Sequence, residues 1–272
     1  MTSKELILKA HKQVYSDKLG NHSSWFQGEG FEFSELREYA QGDDVRKIDW
    51  KTTAKLGKPY VKIYHEEREL SVVLATMLSG ACHFGTSRQK SELIAEIVSI
   101  FGMSVMRNQD SFSHILFADK MYAWTKPTKK HFGLHEALES IVNFDMIGKS
   151  ADFSNMENFL KTHLVRKSLL VIISDFIGKI NLGVLSKKHD VIAIVIRDRF
   201  EENPIALGSV NLLDAESLVR FDGVVDDETI KRYQKSLLRN DDELYRHLRH
   251  YGIRWVKIYT DEDPFVKLKK SL

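Results

Sequence analysis

Three nearly continuous apolar runs constrain the fold of this chain more than any other feature of its sequence. The runs are Leu70 to Met77, Ser168 to Ser174 and Asp190 to Ile196. A strand with one face in water alternates apolar and polar residues, whereas a strand buried on both faces reads as an unbroken apolar run. The three runs therefore predict central strands of a sheet that is covered on both sides.

Helical patterns separate these strands. Gln89 to Arg107 places apolar residues on one common face, and Leu182 to Lys188 forms a shorter helical stretch between the second and third runs. Alternating strands and helices favour a mostly parallel sheet with helices on both faces. Val210 to Leu213 and Leu218 to Phe221 suggest a hairpin at the edge of that sheet. The chain is thus predicted to have an α/β fold.

A segment ahead of the sheet, Gly28 to Trp50, holds an unusual density of charged groups. Arg37 and Arg46 lie close in sequence to three aspartates, namely Asp43, Asp44 and Asp49. The planar guanidinium group suits bidentate pairing with carboxylates. We expect such pairs to fix a segment that has little regular structure of its own.

Glycines and aromatic residues accompany these charges. Gly28, Gly30 and Gly42 permit turns, and Trp50 supplies an apolar anchor for docking onto a domain. Two interpretations remain open, because ion-pair networks often serve only as scaffolding. The segment either contacts a partner or holds its own fold in shape.

The string from Gly42 to Trp50, G-D-D-V-R-K-I-D-W, continues through Gly57 and Lys58 to the acidic stretch Glu66 to Glu69. It resembles the domain-of-unknown-function 58 family. The resemblance implies a von Willebrand A-like, doubly wound, mostly parallel sheet flanked by helices, at residues 69–272, preceded by an N-terminal arm at residues 1–68. Genes of this family often lie beside those of MoxR-type AAA+ ATPases. The resemblance therefore implies an adaptor for such an ATPase, with other von Willebrand A proteins as further candidate partners.

A von Willebrand A domain usually holds Mg²⁺ with an Asp-x-Ser-x-Ser turn, a threonine from a middle loop and an aspartate after the fourth strand. In this chain the first turn aligns with Met77 to Ala81, so that Ser79 remains, and Asp175 matches the later aspartate. The middle loop aligns with Ala151 to Phe153, with Ser150 as a substitute if the register slips. One hydroxyl and one carboxylate form a poor cage for Mg²⁺. We expect weak metal binding or none.

Simpler roles exist for two of these residues. Asp175 can serve as the N-cap of a following helix, where its carboxylate would accept backbone hydrogen bonds. Met77 can simply pack in the core. On that interpretation the first turn and the later aspartate are structural.

Two hypotheses of function follow. In the first, the chain is a non-enzymatic interaction module in which Arg37, Asp43, Asp44, Arg46, Asp49 and Trp50 contact the partner or organise the arm. In the second, Asp43, Asp44, Asp49 and Asp175 converge on a divalent metal and activate water for hydrolysis. The neighbouring Arg37 and Arg46 argue against the hydrolase. Carboxylates turned onto arginines would favour the module, and unpaired carboxylates around a cavity would favour the enzyme.

Composition sets the outer limits. Forty basic and 38 acidic residues leave a formal charge of +2, so no global charge draws the chain to nucleic acid or an anionic membrane. Cys82 is the single cysteine, which excludes an internal disulfide. No signal peptide, membrane-spanning run or phosphate-binding glycine loop is recognisable. We expect a cytoplasmic protein without direct membrane insertion and without a cofactor.

Overall fold

A computed structural model describes residues 1–16, 33–41, 43–64 and 70–271. The chain divides into two compact units. Met1–Asn21 and Ser71–Leu272 form the first, which we call the sheet unit, and His22–Leu70 form the second, which we call the arm unit. The predicted motif residues Gly28, Gly30, Gly42 and Glu66 to Glu69 lie outside the described residues.

The described strands are β1 (Phe33–Glu38), β2 (Tyr60–Tyr64), β3 (Ser71–Met77), β4 (Ser111–Phe117), β5 (Met121–Thr128), β6 (Leu169–Ser174), β7 (Asp190–Arg197), β8 (Gly208–Leu213), β9 (Arg220–Val225) and β10 (Arg254–Tyr259). The described helices are α1 (Ser3–Ser16), α2 (Trp50–Leu56), α3 (Lys90–Arg107), α4 (His131–Val142), α5 (Phe153–His163), α6 (Gly183–Lys188), α7 (Arg199–Glu202), α8 (Asp227–His250) and α9 (Pro264–Ser271).

A six-stranded sheet in the order β10-β7-β6-β3-β4-β5 forms the centre of the sheet unit. Every neighbouring pair is parallel except β4 and β5, which pair antiparallel. The three apolar runs became the adjacent central strands β3, β6 and β7, and almost all of their residues are buried. The predicted doubly wound, mostly parallel sheet flanked by helices is confirmed.

Helices cover both faces of this sheet. On one face, residues of α5, α6 and α8 share a single buried cluster with alternate residues of β3, β6 and β7. On the other face, α3 packs against β3, β4 and β7, and α1 packs on α3 and α4. Side chains alternate between faces along a strand, so two apolar layers require the unbroken apolar runs seen in the sequence.

Helix α1 lies in the sheet unit, although the sequence analysis assigned residues 1–68 to the arm. Its buried residues Leu6, Ala10 and Val14 form the stripe that packs on the neighbouring helices. The structure therefore places the first helix with the sheet, and the sheet unit resumes at Ser71.

The predicted hairpin exists, but it is not at the edge of the central sheet. Among the described strands, β8 and β9 pair with each other alone and form a separate two-stranded sheet. Most of its side chains are exposed. In the central sheet, the edge strand next to β7 is β10.

The arm unit has more regular structure than its sequence suggested. Strands β1 and β2 pair antiparallel, and a 3₁₀ turn, Val45–Lys47, and helix α2 lie between them in the chain. Ile48 bridges to Val61, which is buried. Among the residues that the structure describes, no helix is both long enough and apolar enough to cross a bilayer.

Candidate functional site

The carboxyl ends of β3 and β6 lie side by side at the centre of the sheet. Chain connections diverge from this point, since β3 leads through α3 to β4 on one side and β6 leads through α6 to β7 on the other. Ligand sites of doubly wound sheets form at such a switch point. Ser79 and Asp175 both follow these strands, and both are buried there.

Lys90 is the direct partner of Asp175. Its Nζ lies 3.1 Å from Oδ2 of Asp175 and 2.7 Å from Oε1 of Glu201. The Lys90 side chain is 0% exposed and that of Asp175 is 3% exposed. Burial would lower the pKa of Lys90, but the attraction of Asp175 and Glu201 outweighs it and raises the pKa above its usual value. The lysine is therefore a buried cation held between two carboxylates.

Asp175 has further partners at its own end of the sheet. Its Oδ1 accepts hydrogen bonds from the Ile177 amide at 3.3 Å and the Ser174 hydroxyl at 3.4 Å, and Arg197 donates to its backbone carbonyl. Burial would raise the pKa of Asp175, yet the charges of Lys90 and then Arg197 hold it below its usual value. Both carboxylate oxygens are thus already engaged.

Glu216 lies in the loop that joins β8 to β9, near Ser79. Burial, followed by the charge of Asp175, raises the pKa of Glu216, and the Ser79 hydroxyl partly offsets this rise. The loop itself rests on the first turn. A Cβ on Gly80 would lie 2.1 Å from the Ala215 carbonyl oxygen, and the Gly148 amide donates to the same oxygen at 2.8 Å.

This arrangement does not fit a divalent metal. The ammonium of Lys90 already lies against Asp175, and Met77 is 1% exposed and belongs to the buried core. Asp152 of the middle loop caps α5 instead, by accepting from the Asn155 amide at 2.9 Å. Among the residues that the structure describes, no group of three or more metal-ligating side chains converges.

The expectation that Asp175 caps a following helix is wrong. The next helix, α6, begins only at Gly183. Phe176 has a positive φ of 52°, which turns the chain away directly after Asp175. The carboxylate does accept a backbone hydrogen bond, but it closes a local turn and faces Lys90.

Cys82 lies in the same turn as Ser79 and is buried. Burial, and after it the charge of Asp175, raise the pKa of this thiol to about 12. The thiol is therefore protonated at neutral pH and is not poised as a nucleophile.

In the arm unit, Asp43 joins two parts of the chain. Its Oδ1 accepts from Arg37 Nη2 at 2.8 Å, and its Oδ2 accepts from the Ala40 amide at 2.8 Å. The predicted arginine pairing is present here. The pair ties strand β1 to the residues that follow it.

Asp44 and Asp49 act as helix caps. Asp44 accepts from the Arg46 amide at the start of the 3₁₀ turn and also pairs with the Arg46 guanidinium through two contacts of 3.1 Å. Asp49 caps α2 by accepting from the amides of Lys51 and Thr52. Both aspartates therefore organise the backbone of the arm.

Trp50 is the first residue of α2 and follows the Asp49 cap. It is 69% exposed, so its indole presents a surface for contact. Its role as an anchor for docking onto a domain stays a prediction.

Ser79 and Asp175 could be identified from the sequence, whereas Lys90, Glu201 and Glu216 could not. Lys90 looked like an ordinary polar residue at the start of an amphipathic helix. One signal was present in the sequence: a lysine stands in the first turn of a helix, where cations are disfavoured. Glu201 and Glu216 come from distant parts of the chain, and only the tertiary fold brings them to the carboxyl edge.

The fold is that of a doubly wound α/β protein with a mostly parallel central sheet, and Ser79 and Asp175 lie at the switch point of that sheet. A family model described as protein of unknown function DUF58 matches residues 35–243. This chain belongs to that family.

Relatives of similar length occur in mycobacteria. Uncharacterized proteins of Mycobacterium bovis and Mycobacterium tuberculosis are each 27% identical to this chain over 252 residues, which cover 90% of this chain and 79% of theirs. Among solved structures, the conserved hypothetical protein BatB from Bacteroides thetaiotaomicron is similar with a TM-score of 0.44 and 11% identity, covering 74% of this chain and 95% of that one. The SpRpn10 VWA domain has a TM-score of 0.40 and 8% identity, covering 75% of this chain and 96% of that domain.

Proposed function

We propose that this protein is a non-enzymatic interaction module that binds a protein partner through the β8–β9 hairpin above the carboxyl edge of its sheet. The observation that carries the proposal is the exposed apolar surface of this hairpin and its flanks. Its members are 47% to 62% exposed; they are Ile205, Leu207, Leu212, Leu213, Leu218, Val219, Phe221 and Val224.

Such a surface needs a reason. Single exposed apolar residues are common, but eight of them lie on this hairpin and its flanks, and an accumulation of exposed apolar area is typical of an interaction site. The hairpin also pairs with no other strand among the described residues, so both of its edges are open. Phe221 and the surrounding leucines supply the kind of apolar centre found in protein interfaces.

The position of the hairpin connects it to the degenerate site. The backbone of its connecting loop, at Ala215 and Glu216, rests on Gly80, the residue that follows Ser79. The ligand position of the sheet is therefore covered by the element that carries the apolar surface. This supports binding through side chains of the hairpin rather than through a metal ion.

The partner we propose is a MoxR-type AAA+ ATPase, in the cytoplasm, as the family resemblance implies. A second candidate contact lies in the arm unit. Its residues either touch the partner or hold the contact surface in shape; they are Arg37, Asp43, Asp44, Arg46, Asp49 and Trp50. We propose no cofactor for this contact.

The hydrolase alternative has less support. Asp43 and Asp44 accept from arginines, Asp49 accepts from backbone amides, and Asp175 accepts from Lys90. A water-activating metal needs carboxylate oxygens that are not committed to cations. Each of these four carboxylates has a local partner, which favours the module.

The test is a pull-down with a purified MoxR-type AAA+ ATPase, with ATP and Mg²⁺ present. We expect wild type to retain the ATPase and the double variant Leu213→Lys with Phe221→Lys to lose at least tenfold of it, because charge on the hairpin blocks apolar contact. Val165→Lys is the matched control, since Val165 is 76% exposed elsewhere on the sheet unit.

Three outcomes decide between the possibilities. Loss with the hairpin variant and retention with the control support the proposal. Equal retention of the ATPase by all three proteins would show that the contact does not involve the hairpin. If wild type retains no ATPase, the proposed partner is wrong. Unchanged melting temperatures of both variants show that the loss is not caused by unfolding.

A further inference from the structure

We infer that the ammonium group of Lys90 takes the place of a divalent cation at the carboxyl edge of the sheet. The conformation of this edge is then independent of Mg²⁺ and Ca²⁺. A von Willebrand A-like fold implies a metal ion at this edge, and the residues present do not fit one.

The geometry places one positive charge where two negative charges meet. Lys90 Nζ contacts Asp175 at 3.1 Å and Glu201 at 2.7 Å, and the lysine side chain is fully buried. The carboxylate of Asp175 is buried and that of Glu201 is 17% exposed, and both lie against Nζ. Two carboxylates that are largely removed from water require a cation between them, because an uncompensated charge in the interior is strongly unfavourable. Lys90 supplies this cation from within the chain.

The local context argues that this placement is specific. Lys90 is the first residue of α3, and the positive end of a helix dipole disfavours a cation there. A buried lysine would normally also lose its proton. The attraction of Asp175 and Glu201 for the ammonium group offsets both the helix dipole and the burial of the charge. The three side chains therefore stabilise one another as a unit.

The remaining oxygen donors leave little room for an additional ion. Asp175 Oδ1 accepts from Ile177 and Ser174, and the backbone carbonyl of Asp175 accepts from Arg197. A second cation would have to displace the ammonium group. It could not simply add to the cluster.

A consequence for binding rests on the proposed function. A metal-dependent adhesion site is lost when the ion is chelated. A site whose cation is a covalently attached lysine keeps its conformation in a chelator. Partner binding through the hairpin loop, which contacts the same turn, should then be the same in Mg²⁺ and in EDTA.

The test uses the full chain and no partner, so that it is separate from the proposed function. Melting temperature is measured for wild type and for Lys90→Met in EDTA, in MgCl₂ and in CaCl₂. Methionine keeps an unbranched chain without the charge. Ca²⁺ is included because its flexible coordination at about 2.3 to 2.6 Å is nearer than that of Mg²⁺ to the distances around Nζ.

We expect the same melting temperature for wild type in all three solutions. Lys90→Met should melt lower in EDTA and recover part of the loss in CaCl₂, because the ion replaces the missing ammonium group. A rise of the wild-type melting temperature with either ion would overturn the inference. A folded Lys90→Met that gains nothing from CaCl₂ would overturn it as well.

Lys257→Met is the matched control. Lys257 also lies between two carboxylates, with Nζ 2.7 Å from Glu202 and 3.4 Å from Asp241. Asp241 keeps Arg197 as a partner after the substitution, so a single carboxylate loses its cation. We expect no recovery with CaCl₂ in this variant. An equal recovery in both variants would show general carboxylate binding and would contradict a specific cation position at Lys90.

Discussion

The sheet unit and the arm unit use the same two chemical groups, a basic side chain and an aspartate, in opposite surroundings. The side chains of Lys90 and Asp175 are 0% and 3% exposed, whereas those of Arg46 and Asp44 are 87% and 38% exposed. A buried pair cannot lose one member without leaving a charge in the interior. An exposed pair loses almost nothing, because water replaces the missing partner. Burial therefore decides which pair holds its unit together.

The aspartates of the arm are better understood through the backbone groups that they cap. Asp43 accepts from Ala40, Asp44 from Arg46 and Asp49 from Lys51, in each case at a backbone amide. A cap contributes about 1 kcal/mol by satisfying an amide that would otherwise lack a partner. The aspartates of this segment thus stabilise a series of turns more than they form a network of ion pairs.

The largest effect should come from breaking the buried pair. We expect Lys90→Met to lower the free energy of unfolding by about 3 to 5 kcal/mol, since it strands Asp175 and Glu201. Adding Asp175→Asn should recover part of this loss, because it removes one stranded charge. Urea denaturation measures both variants. A loss below about 1 kcal/mol for Lys90→Met would show that the pair behaves like a surface pair.

A second effect should appear as pH falls and should belong to the sheet unit. Burial lowers the pKa of His114 from 6.5 to about 3, and its Nε2 lies 3.0 Å from the Thr76 hydroxyl. The unfolded chain takes up this proton below pH 6.5 while the folded chain does not. The contribution of His114 is therefore fully present above pH 6.5 and is lost progressively as pH falls toward 3.

Wild type should accordingly lose on the order of 2 kcal/mol of stability between pH 6.5 and about 5, at roughly 1.4 kcal/mol per pH unit. His114→Gln should lose distinctly less, as measured by urea denaturation at each pH. Burial also lowers the pKa values of His189 and His247, so some dependence will remain in the variant. Identical pH profiles for the two proteins would exclude His114 as the source.

The smallest effect should come from the exposed pair. We expect Arg46→Ala to change stability by about 0 to 1 kcal/mol, because both members keep contact with water. Asp49→Ala in the same segment should cost about 1 kcal/mol through the lost cap of α2. Limited proteolysis within residues 33–64 compares them. A faster cut in Arg46→Ala than in Asp49→Ala would reverse the assigned roles of pair and cap.

Sequence alone predicted the central sheet well, for a physical reason. A strand covered on both faces must be apolar throughout, and few other structures demand such a run. Strands β3, β6 and β7 were therefore identified with bounds that differ from the structure by one residue or none. The resemblance to von Willebrand A domains then pointed to Ser79 and Asp175, which follow two of these strands.

The rest depended on contacts between distant parts of the chain. Lys90 and Glu201 are 111 residues apart, and no local sequence pattern predicts that they form an ion pair. The hairpin was placed at the sheet edge because its residues have strand character, yet its pairing partner is a property of the tertiary fold. The helix predicted directly after Asp175 is absent because Phe176 adopts a left-handed conformation. This conformation is uncommon for a phenylalanine, so the sequence does not predict it.

The backbone contact between Gly80 and Ala215 offers a marker for comparing members of the family. Any side chain at residue 80 would collide with the carbonyl oxygen of Ala215 and the amide of Glu216, both of which are main-chain atoms that cannot rotate away. A homologue with a larger residue at this position must carry its hairpin elsewhere. The identity of one residue can thus sort the family into members that cover the switch point as this chain does and members that leave it open.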